Sequence, residues 1–225
     1  EANPEKVADH LGIIANPNCS TIQVIPVLKV LDELYGLKRV VYSTYQAVAG
    51  SGQKGIDDLE ANLIGEESKG YPHQIAFNLI PHIDTFLDNG YTKEEIKMVE
   101  ETRKILGKPD LRVTATCVRV PVRMGHAVSI NVELEKPFDL KDGVEAFGKK
   151  EGVIVSDDVK NNVYPMPLDA AGKDEVFVGR IRRDESVENG LNLWVVADNI
   201  RKGAATNAVQ IAEELIRRGV VKEKE

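Results

Sequence analysis

The chain of 225 residues is poor in aromatic side chains, cysteine and long apolar runs, and each shortage excludes a class of protein. Aromatic residues make up 5% of it, and its formal net charge is −7. Nucleic-acid-binding surfaces are basic, so an acidic chain without basic–aromatic clusters does not fit that class. No apolar run approaches the roughly 20 residues that span a bilayer. We therefore expect neither a nucleic-acid partner nor a membrane partner.

The two cysteines, Cys19 and Cys117, lie far apart and show no metal-ligand spacing. Two isolated cysteines do not make a disulfide framework, and the four histidines form no cluster with them. We therefore expect no metal site and a reducing, cytoplasmic location. The chain begins with Glu1 and not with methionine, so we expect it to be part of a longer protein.

A glycine fingerprint for dinucleotides is also missing. The segment Gly50-Ser51-Gly52 follows a predicted strand, but it has no third glycine at the required spacing and no acidic residue about twenty positions later. The segment therefore predicts a loop that lets a substrate or a phosphate approach the backbone, and not a Rossmann cradle.

The periodicity of apolar residues predicts an α+β fold, with a mostly antiparallel sheet flanked by helices. A capping box, Thr92 with Glu95, marks the start of one helix. The predicted helices are Ser20–Tyr35, Ile56–Ile64, Thr92–Leu106, Leu140–Lys149 and Ala204–Arg218. The predicted strands are Leu11–Ala15, Leu37–Thr44, Arg112–Val120, Ala127–Leu134, Val153–Val155, and the hairpin of Val176–Arg182 with Leu191–Val196.

Cys19 is the most informative residue of the chain. It follows the polar turn Asn16-Pro17-Asn18 and opens a predicted helix. The positive end of a helix dipole lowers the pKa of a thiol and favours the nucleophilic thiolate. The alternative is a buried structural cysteine, since free cysteine is among the most buried residue types. Cys117, midway along an alternating apolar strand, fits that second description.

Four segments, in the same order along the chain, resemble the aspartate-β-semialdehyde dehydrogenase family. The resemblance implies an NADPH-dependent reductive dephosphorylation of L-aspartyl 4-phosphate to L-aspartate 4-semialdehyde through a cysteine thioester, a step towards lysine, methionine and threonine. It also implies a catalytic domain like that of glyceraldehyde-3-phosphate dehydrogenase, and a homodimer or tetramer. The segments are Asn16–Thr21, Ser43–Gly52, Arg119–Val122 with His126, and Asp198–Asn199 with Gly203–Ala205.

The resemblance assigns the chemistry to three residues. Cys19 is the nucleophile, His126 is the general acid/base, and Gln46 orients the acyl substrate. Without the resemblance, His126 could equally be a structural histidine. The implied contacts with NADP are Ala49, Gly50 and Asn199.

The resemblance also assigns four residues to the substrate. Arg119 binds the α-carboxylate, Glu94 the amine, Lys97 the phosphate, and Asn18 a phosphate or an oxyanion. On their own terms these residues have ordinary alternatives. Glu94 and Lys97, three apart on a helix, could be a surface ion pair, and Arg119 could be a solvent-exposed arginine of an edge strand.

The same resemblance implies a division of the chain. Residues 1–18 would end a dinucleotide-binding domain, residues 19–199 would form the catalytic and dimerisation domain, and residues 200–225 would carry a helix that returns to the cofactor domain. Two alternatives stay open. One is a related acyl-phosphate reductase of the N-acetylglutamyl-phosphate type, and the other is a non-catalytic dimerisation module.

Overall fold

The structure, a computed structural model, describes residues 1–221. Residues 222–225, the end of the predicted 200–225 segment, lie outside the described residues. The helices are α1 (Cys19–Tyr35), α2 (Gln53–Leu63), α3 (Lys93–Leu106), α4 (Leu140–Lys149), α5 (Pro167–Ala170) and α6 (Thr206–Arg217). The strands are β1 (Leu37–Gln46), β2 (Arg112–Arg119), β3 (His126–Leu134), β4 (Val153–Val155), β5 (Val176–Asp184) and β6 (Gly190–Ala197).

The six strands form one sheet in the order β2-β1-β3-β6-β5-β4. Its three central pairings are antiparallel, and the two outer pairings, β1 with β2 and β4 with β5, are parallel. Parallel neighbours need a crossover connection, and α2 with α3, and α5, lie in those two connections. The predicted α+β fold with a mostly antiparallel sheet flanked by helices is confirmed.

Helix α1 is the centre of the hydrophobic core. Its apolar residues Val24, Val27, Leu28 and Leu31 are almost fully buried, together with alternate residues of β1, β3 and β6. Because burial continues to the start of the helix, Ser20 and Thr21 are also buried. The N-terminus of the helix, as well as its apolar side, is therefore buried in the interior.

The register of the sheet brings several strand ends to one place. Gln46 and Arg119, the last residues of the parallel strands β1 and β2, are paired. His126 begins β3 and pairs with Ala197, the last residue of β6. Residues that are distant in sequence therefore meet at one edge of the sheet, beside the start of α1.

The predicted strand Leu11–Ala15 is wrong. Residues 11–15 form no strand in the structure, and Leu11 and Ile13 are almost fully exposed. A strand needs a neighbour to exchange backbone hydrogen bonds, and within residues 1–221 no strand pairs with this segment.

The other predicted elements are present, with small shifts at their ends. The capping box of Thr92 and Glu95 forms in both directions at the start of α3. Helix α6 is preceded by a π-helical turn over Arg201–Ala205, in which the Gly203 amide donates to the carbonyl of Asp198, five residues back. In the part of the chain that the structure describes, no helix is long and apolar enough to cross a membrane.

The substitution Leu28→Ala tests the central place of α1. Leu28 is fully buried, so its truncation should lower the free energy of unfolding by about 2–5 kcal/mol. Leu34→Ala, on the same helix but 43% exposed, is the matched control and should cost well under half of that. Urea denaturation measures both, and equal losses would contradict the packing described here.

Candidate active site

Asn18 and Cys19 form the start of helix α1. The Asn18 side-chain oxygen accepts hydrogen bonds from the backbone amides of Ser20 (2.9 Å) and Thr21 (3.3 Å), which makes Asn18 the N-cap. Such a cap satisfies amides that have no partner inside the helix. Cys19, the first helical residue, is thus held between the cap and the amides bound to it.

The expectation of a lowered pKa for Cys19 fails in its net direction: hydrogen bonds with Ser20 at the start of the helix lower the pKa, but burial outweighs them. Burial raises the pKa of the Cys19 thiol to about 11, and the negative charge of Glu94 adds to this shift. The positive charge of Arg119 opposes the shift but does not cancel it. The thiol is therefore protonated at neutral pH, and its activation must come from groups that approach it in the site.

His126 is fully buried and has one of its two ring nitrogens engaged. Its Nδ1 accepts the Ala47 backbone N–H at 3.0 Å, so the neutral ring carries its proton on Nε2. Burial, with the charge of Arg119, lowers the pKa of His126 well below its usual range and keeps the ring neutral. Nε2 is buried and has no hydrogen-bond partner within the described residues. Nε2 is therefore a hydrogen-bond donor that is available to an acceptor in the site.

Arg119 is buried beside His126, although β2 is an edge strand. Its Nη1 donates to the Ala47 carbonyl at 2.8 Å, while its buried Nε has no partner among residues 1–221. Gly50 lies against both side chains, because a Cβ atom there would stand 2.7 Å from Arg119 Nη1 and 3.1 Å from His126 Nε2. A guanidinium and an imidazole with free donors, next to an open backbone, suit an anionic or carbonyl ligand.

Glu94 connects three elements of the site. Its buried Oε1 accepts hydrogen bonds from the side-chain amides of Asn18 (2.8 Å) and Gln46 (2.9 Å). Gln46 also accepts a hydrogen bond from the Thr44 hydroxyl at 3.0 Å. The start of α1, the end of β1 and the first turn of α3 are therefore tied together by one carboxylate.

Lys97 lies on the outer side of this group. Its Nζ contacts Asp84 Oδ2 at 2.9 Å and Glu94 Oε2 at 3.8 Å, and its side chain is 48% exposed. The hydrogen bond to Asp84 raises the pKa of Lys97 and keeps it charged. The pair of Glu94 and Lys97 is thus an ion pair at the border of the site, and Glu94 is its buried member.

An open cavity of about 200 Å³ adjoins Arg119. Its other polar lining residues include Ser51, Lys54, His82 and Asp84. Its size and its cationic groups suit a small, anionic molecule more than a large apolar one.

The three residues assigned to a cofactor lie around His126. Gly50 is exposed, whereas Ala49 is buried and its amide donates to the Arg123 carbonyl. Asn199, after β6, accepts the Gly125 backbone N–H at 3.0 Å through Oδ1, so its NH₂ group remains to donate. The exposed backbone at Gly50, next to the orphaned Nε2 of His126, fits a planar group with a carbonyl acceptor, such as a nicotinamide.

Three residues of this region were missed by sequence reasoning. Gln23 donates to the His126 carbonyl at 3.3 Å, and its position four residues after Cys19 was a usable signal, because both share a face of α1. Asp84 and Glu101, which bind Lys97 and the Asn18 amide, carry no local signal. Cys117, by contrast, is fully buried beside Met98, as the sequence indicated.

The pKa of Cys19 provides a test of this electrostatic arrangement. Glu94→Gln removes a negative charge but keeps an oxygen acceptor, so the pKa of Cys19 should fall. Alkylation by iodoacetamide should then be roughly 3- to 10-fold faster at a fixed pH below that pKa. Glu100→Gln, on the exposed side of α3, is the control and should leave the rate unchanged. Mass spectrometry measures the alkylation at Cys19. An unchanged or slower rate in Glu94→Gln would contradict the inferred effect of the Glu94 charge on the Cys19 pKa.

Comparison with known proteins gives a consistent result. Residues 28–202 match the family described as semialdehyde dehydrogenase, dimerisation domain. The aspartate-semialdehyde dehydrogenase of Aquifex aeolicus (strain VF5) is 56% identical over 230 aligned residues, which cover 98% of this chain and 68% of the relative. The chain spans about two thirds of the length of the curated relatives it matches.

Two solved structures are similar to the fold. The aspartate semialdehyde dehydrogenase II of Vibrio cholerae, complexed with ASA, has a TM-score of 0.91 and 48% identity, covering 96% of this chain and 66% of that one. The aspartate semialdehyde dehydrogenase of Candida albicans, crystallised with NADP, has a TM-score of 0.70 and 27% identity, covering 93% and 59%.

Proposed function

The chain belongs to the aspartate-semialdehyde dehydrogenase family, and we propose that it carries the acyl-transfer chemistry of that enzyme. The reaction is the NADPH-dependent reductive dephosphorylation of L-aspartyl 4-phosphate to L-aspartate 4-semialdehyde, which serves lysine, methionine and threonine biosynthesis. One observation carries the proposal. The buried side chains of His126 and Arg119, each with a nitrogen that has no partner among residues 1–221, both lie against Gly50, near the Cys19 thiol on which the charges of Arg119 and Glu94 act.

Cys19 acts as the nucleophile. Its sulfur forms a bond to the acyl carbon of the substrate while the bond from that carbon to the phosphate oxygen breaks. The phosphate leaves with the bonding electrons and takes up the proton that the thiol loses. The resulting thioester divides one difficult step into two. His126, with its proton on Nε2, donates a hydrogen bond to the acyl oxygen as negative charge develops there. Gln46, already bound to Glu94, orients the acyl group.

The remaining residues recognise the ends of the substrate. Arg119 binds the α-carboxylate through its guanidinium, whose buried Nε has no hydrogen-bond partner among residues 1–221. Glu94 binds the ammonium group, and Lys97, partly exposed at the border, binds the phosphate. Asn18 keeps one N–H of its amide for the phosphate, because the other atoms of its side chain serve the cap and Glu94.

NADPH, when bound, would supply the hydride that reduces the thioester. On this chain the exposed Gly50, with Ala49 beside it, and the NH₂ group of Asn199 would hold its nicotinamide end. A neutral His126 is compatible with a neighbouring nicotinamide, because the fall of its pKa removes the positive charge.

The division of the chain follows from the same proposal. Residues 1–18 accompany a dinucleotide-binding domain, residues 19–199 form the catalytic and dimerisation domain with a fold like that of glyceraldehyde-3-phosphate dehydrogenase, and residues 200–225 return to the cofactor domain. The exposure of Leu11 and Ile13, which cover no part of the described core, supports the first of these assignments. A cytoplasmic location suits the two free thiols.

The two alternative functions are less well supported. An N-acetylglutamyl-phosphate reductase binds an acylated amine, which has no use for the buried carboxylate of Glu94. A non-catalytic dimerisation module has no use for two orphaned donors in the interior, since unsatisfied buried groups cost about 1–3 kcal/mol each.

Acylation of Cys19 tests the proposed function on this chain. After incubation with L-aspartyl 4-phosphate and acid quenching, intact-mass and peptide analysis should show one aspartyl group on Cys19. Cys19→Ser should abolish the adduct, whereas Cys117→Ala should retain it, because Cys117 lies in the core. No adduct on a folded chain, or equal acylation by N-acetylglutamyl phosphate, would refute the proposal.

We also propose a homodimer formed through the strand region Arg112–Leu134. Helices α1, α3 and α4 pack on one face of the sheet. On the opposite face the short α5 packs its Ala170 against Ala127, while Ser43, Tyr45 and Ser129 remain partly exposed. The rings of Tyr45 and Trp194 pack on this face at 5.4 Å. The match to a dimerisation domain supports a second copy as the occupant of this surface.

The substitution Ser129→Arg tests that surface. A guanidinium in the middle of a self-complementary face meets its own copy, so association should weaken by at least about tenfold. Glu100→Arg, an exposed site on α3, is the control and should leave association unchanged. Sedimentation velocity measures both, and a dimer of unchanged stability in Ser129→Arg would place the interface elsewhere.

A further inference from the structure

The geometry points to Glu101 as a positioning residue for Cys19, acting through the backbone amide of Asn18. Glu101 Oε2 accepts this amide at 2.8 Å. The inference rests on the proposed role of Cys19 as the nucleophile, but Glu101 itself is not among the residues assigned to the substrate, the cofactor or the chemistry.

The cap of α1 depends on the orientation of Asn18. Its side-chain oxygen must point at the amides of Ser20 and Thr21, which are buried and cannot turn to water instead. Cys19 follows Asn18 directly in the chain, so a shift of the Asn18 backbone displaces the thiol as well. The position of the nucleophile is therefore only as well defined as that of its cap.

Helix α3 accepts hydrogen bonds from two different groups of Asn18. Glu94 accepts the side-chain amide and Glu101 accepts the backbone amide, each at 2.8 Å. The two carboxylates are seven residues apart and thus lie two turns apart on one face of α3. The cap bonds tie Asn18 to its own helix, and the two bonds to different groups define its orientation relative to α3.

The two glutamates differ in their other contacts. Glu94 also binds Gln46, and under the proposed function it must serve the substrate amine. Glu101 is half-buried, and its contact with the Asn18 backbone amide is independent of the substrate. Glu101 therefore keeps the cap in place when the hydrogen bonds of Glu94 rearrange around a ligand.

Alkylation of Cys19 tests this role independently of the enzymatic reaction. In Glu101→Ala the Asn18 amide loses its acceptor and the cap loosens. The thiol then becomes less buried, and burial is the main cause of its high pKa. Alkylation by iodoacetamide at fixed pH should be at least about threefold faster, and its pH profile should move to lower pH. Glu101→Gln still offers an oxygen acceptor and should restore a profile close to that of the unchanged protein.

Two controls separate positioning from stability. Glu100→Ala, the exposed neighbour on α3, should leave the profile unchanged. A purely structural Glu101 would lower the melting temperature and leave the Cys19 profile where it was, which would overturn the inference, as would equal shifts in Glu101→Ala and Glu101→Gln. If Glu101→Ala does not fold, Glu101→Asp replaces it: its shorter side chain withdraws the carboxylate, and the same shift is expected.

The acylation measurement distinguishes this inference from the proposed function. Failure of the unchanged chain to be acylated by L-aspartyl 4-phosphate refutes the function and leaves the alkylation comparison intact. If the unchanged chain is acylated, Glu101→Ala should be acylated at least about tenfold more slowly, whereas Glu101→Gln should stay within about threefold.

Discussion

The burial of helix α1 from its first turn onwards is the constraint on which the site depends. A helix at the surface can leave its first amides to water, but α1 begins in the interior, where Ser20 and Thr21 are inaccessible. Asn18 must therefore cap them, and Asn18 in turn needs partners for its own polar groups. The carboxylates of α3 supply these partners. The polar cluster around Cys19 thus follows from packing an apolar helix against the sheet.

The order of the strands completes the site at the same place. Parallel pairing brings the ends of β1 and β2 together, which puts Gln46 beside Arg119. Antiparallel pairing brings the start of β3 to that edge, with His126 as its first residue. A single register shift in either pairing would move these side chains to the opposite face of the sheet. The same topology therefore builds the core and aligns the polar residues.

The sequence was sufficient for much of this description, and the failures in predicting contacts share one cause. Helix starts with local signals, such as the polar turn before Cys19 and the pair of Thr92 with Glu95, were predicted to within one residue because their hydrogen bonds lie within four residues. The prediction of a strand over residues 11–15 was wrong because a run of apolar residues does not reveal whether a neighbouring strand is available for pairing. The contacts of Asp84 and Glu101 could not be predicted for a related reason, since they join residues that are distant in sequence.

The pKa of Cys19 was mispredicted because two effects of unequal size compete there. A charge at a helix terminus gains about 0.3–2 kcal/mol, which corresponds to at most about 1.5 pKa units. Removal from water can shift a pKa by up to about 3–5 units in the opposite direction, and Cys19, although the residue is only partly buried, has a thiol that burial affects most strongly. Position at a helix start therefore cannot by itself activate a thiol that the fold removes from water. Arg119 opposes the effect of burial, whereas Glu94 reinforces it. A substrate ammonium bound by Glu94 would neutralise that carboxylate, and binding would then favour the thiolate at the moment it is needed.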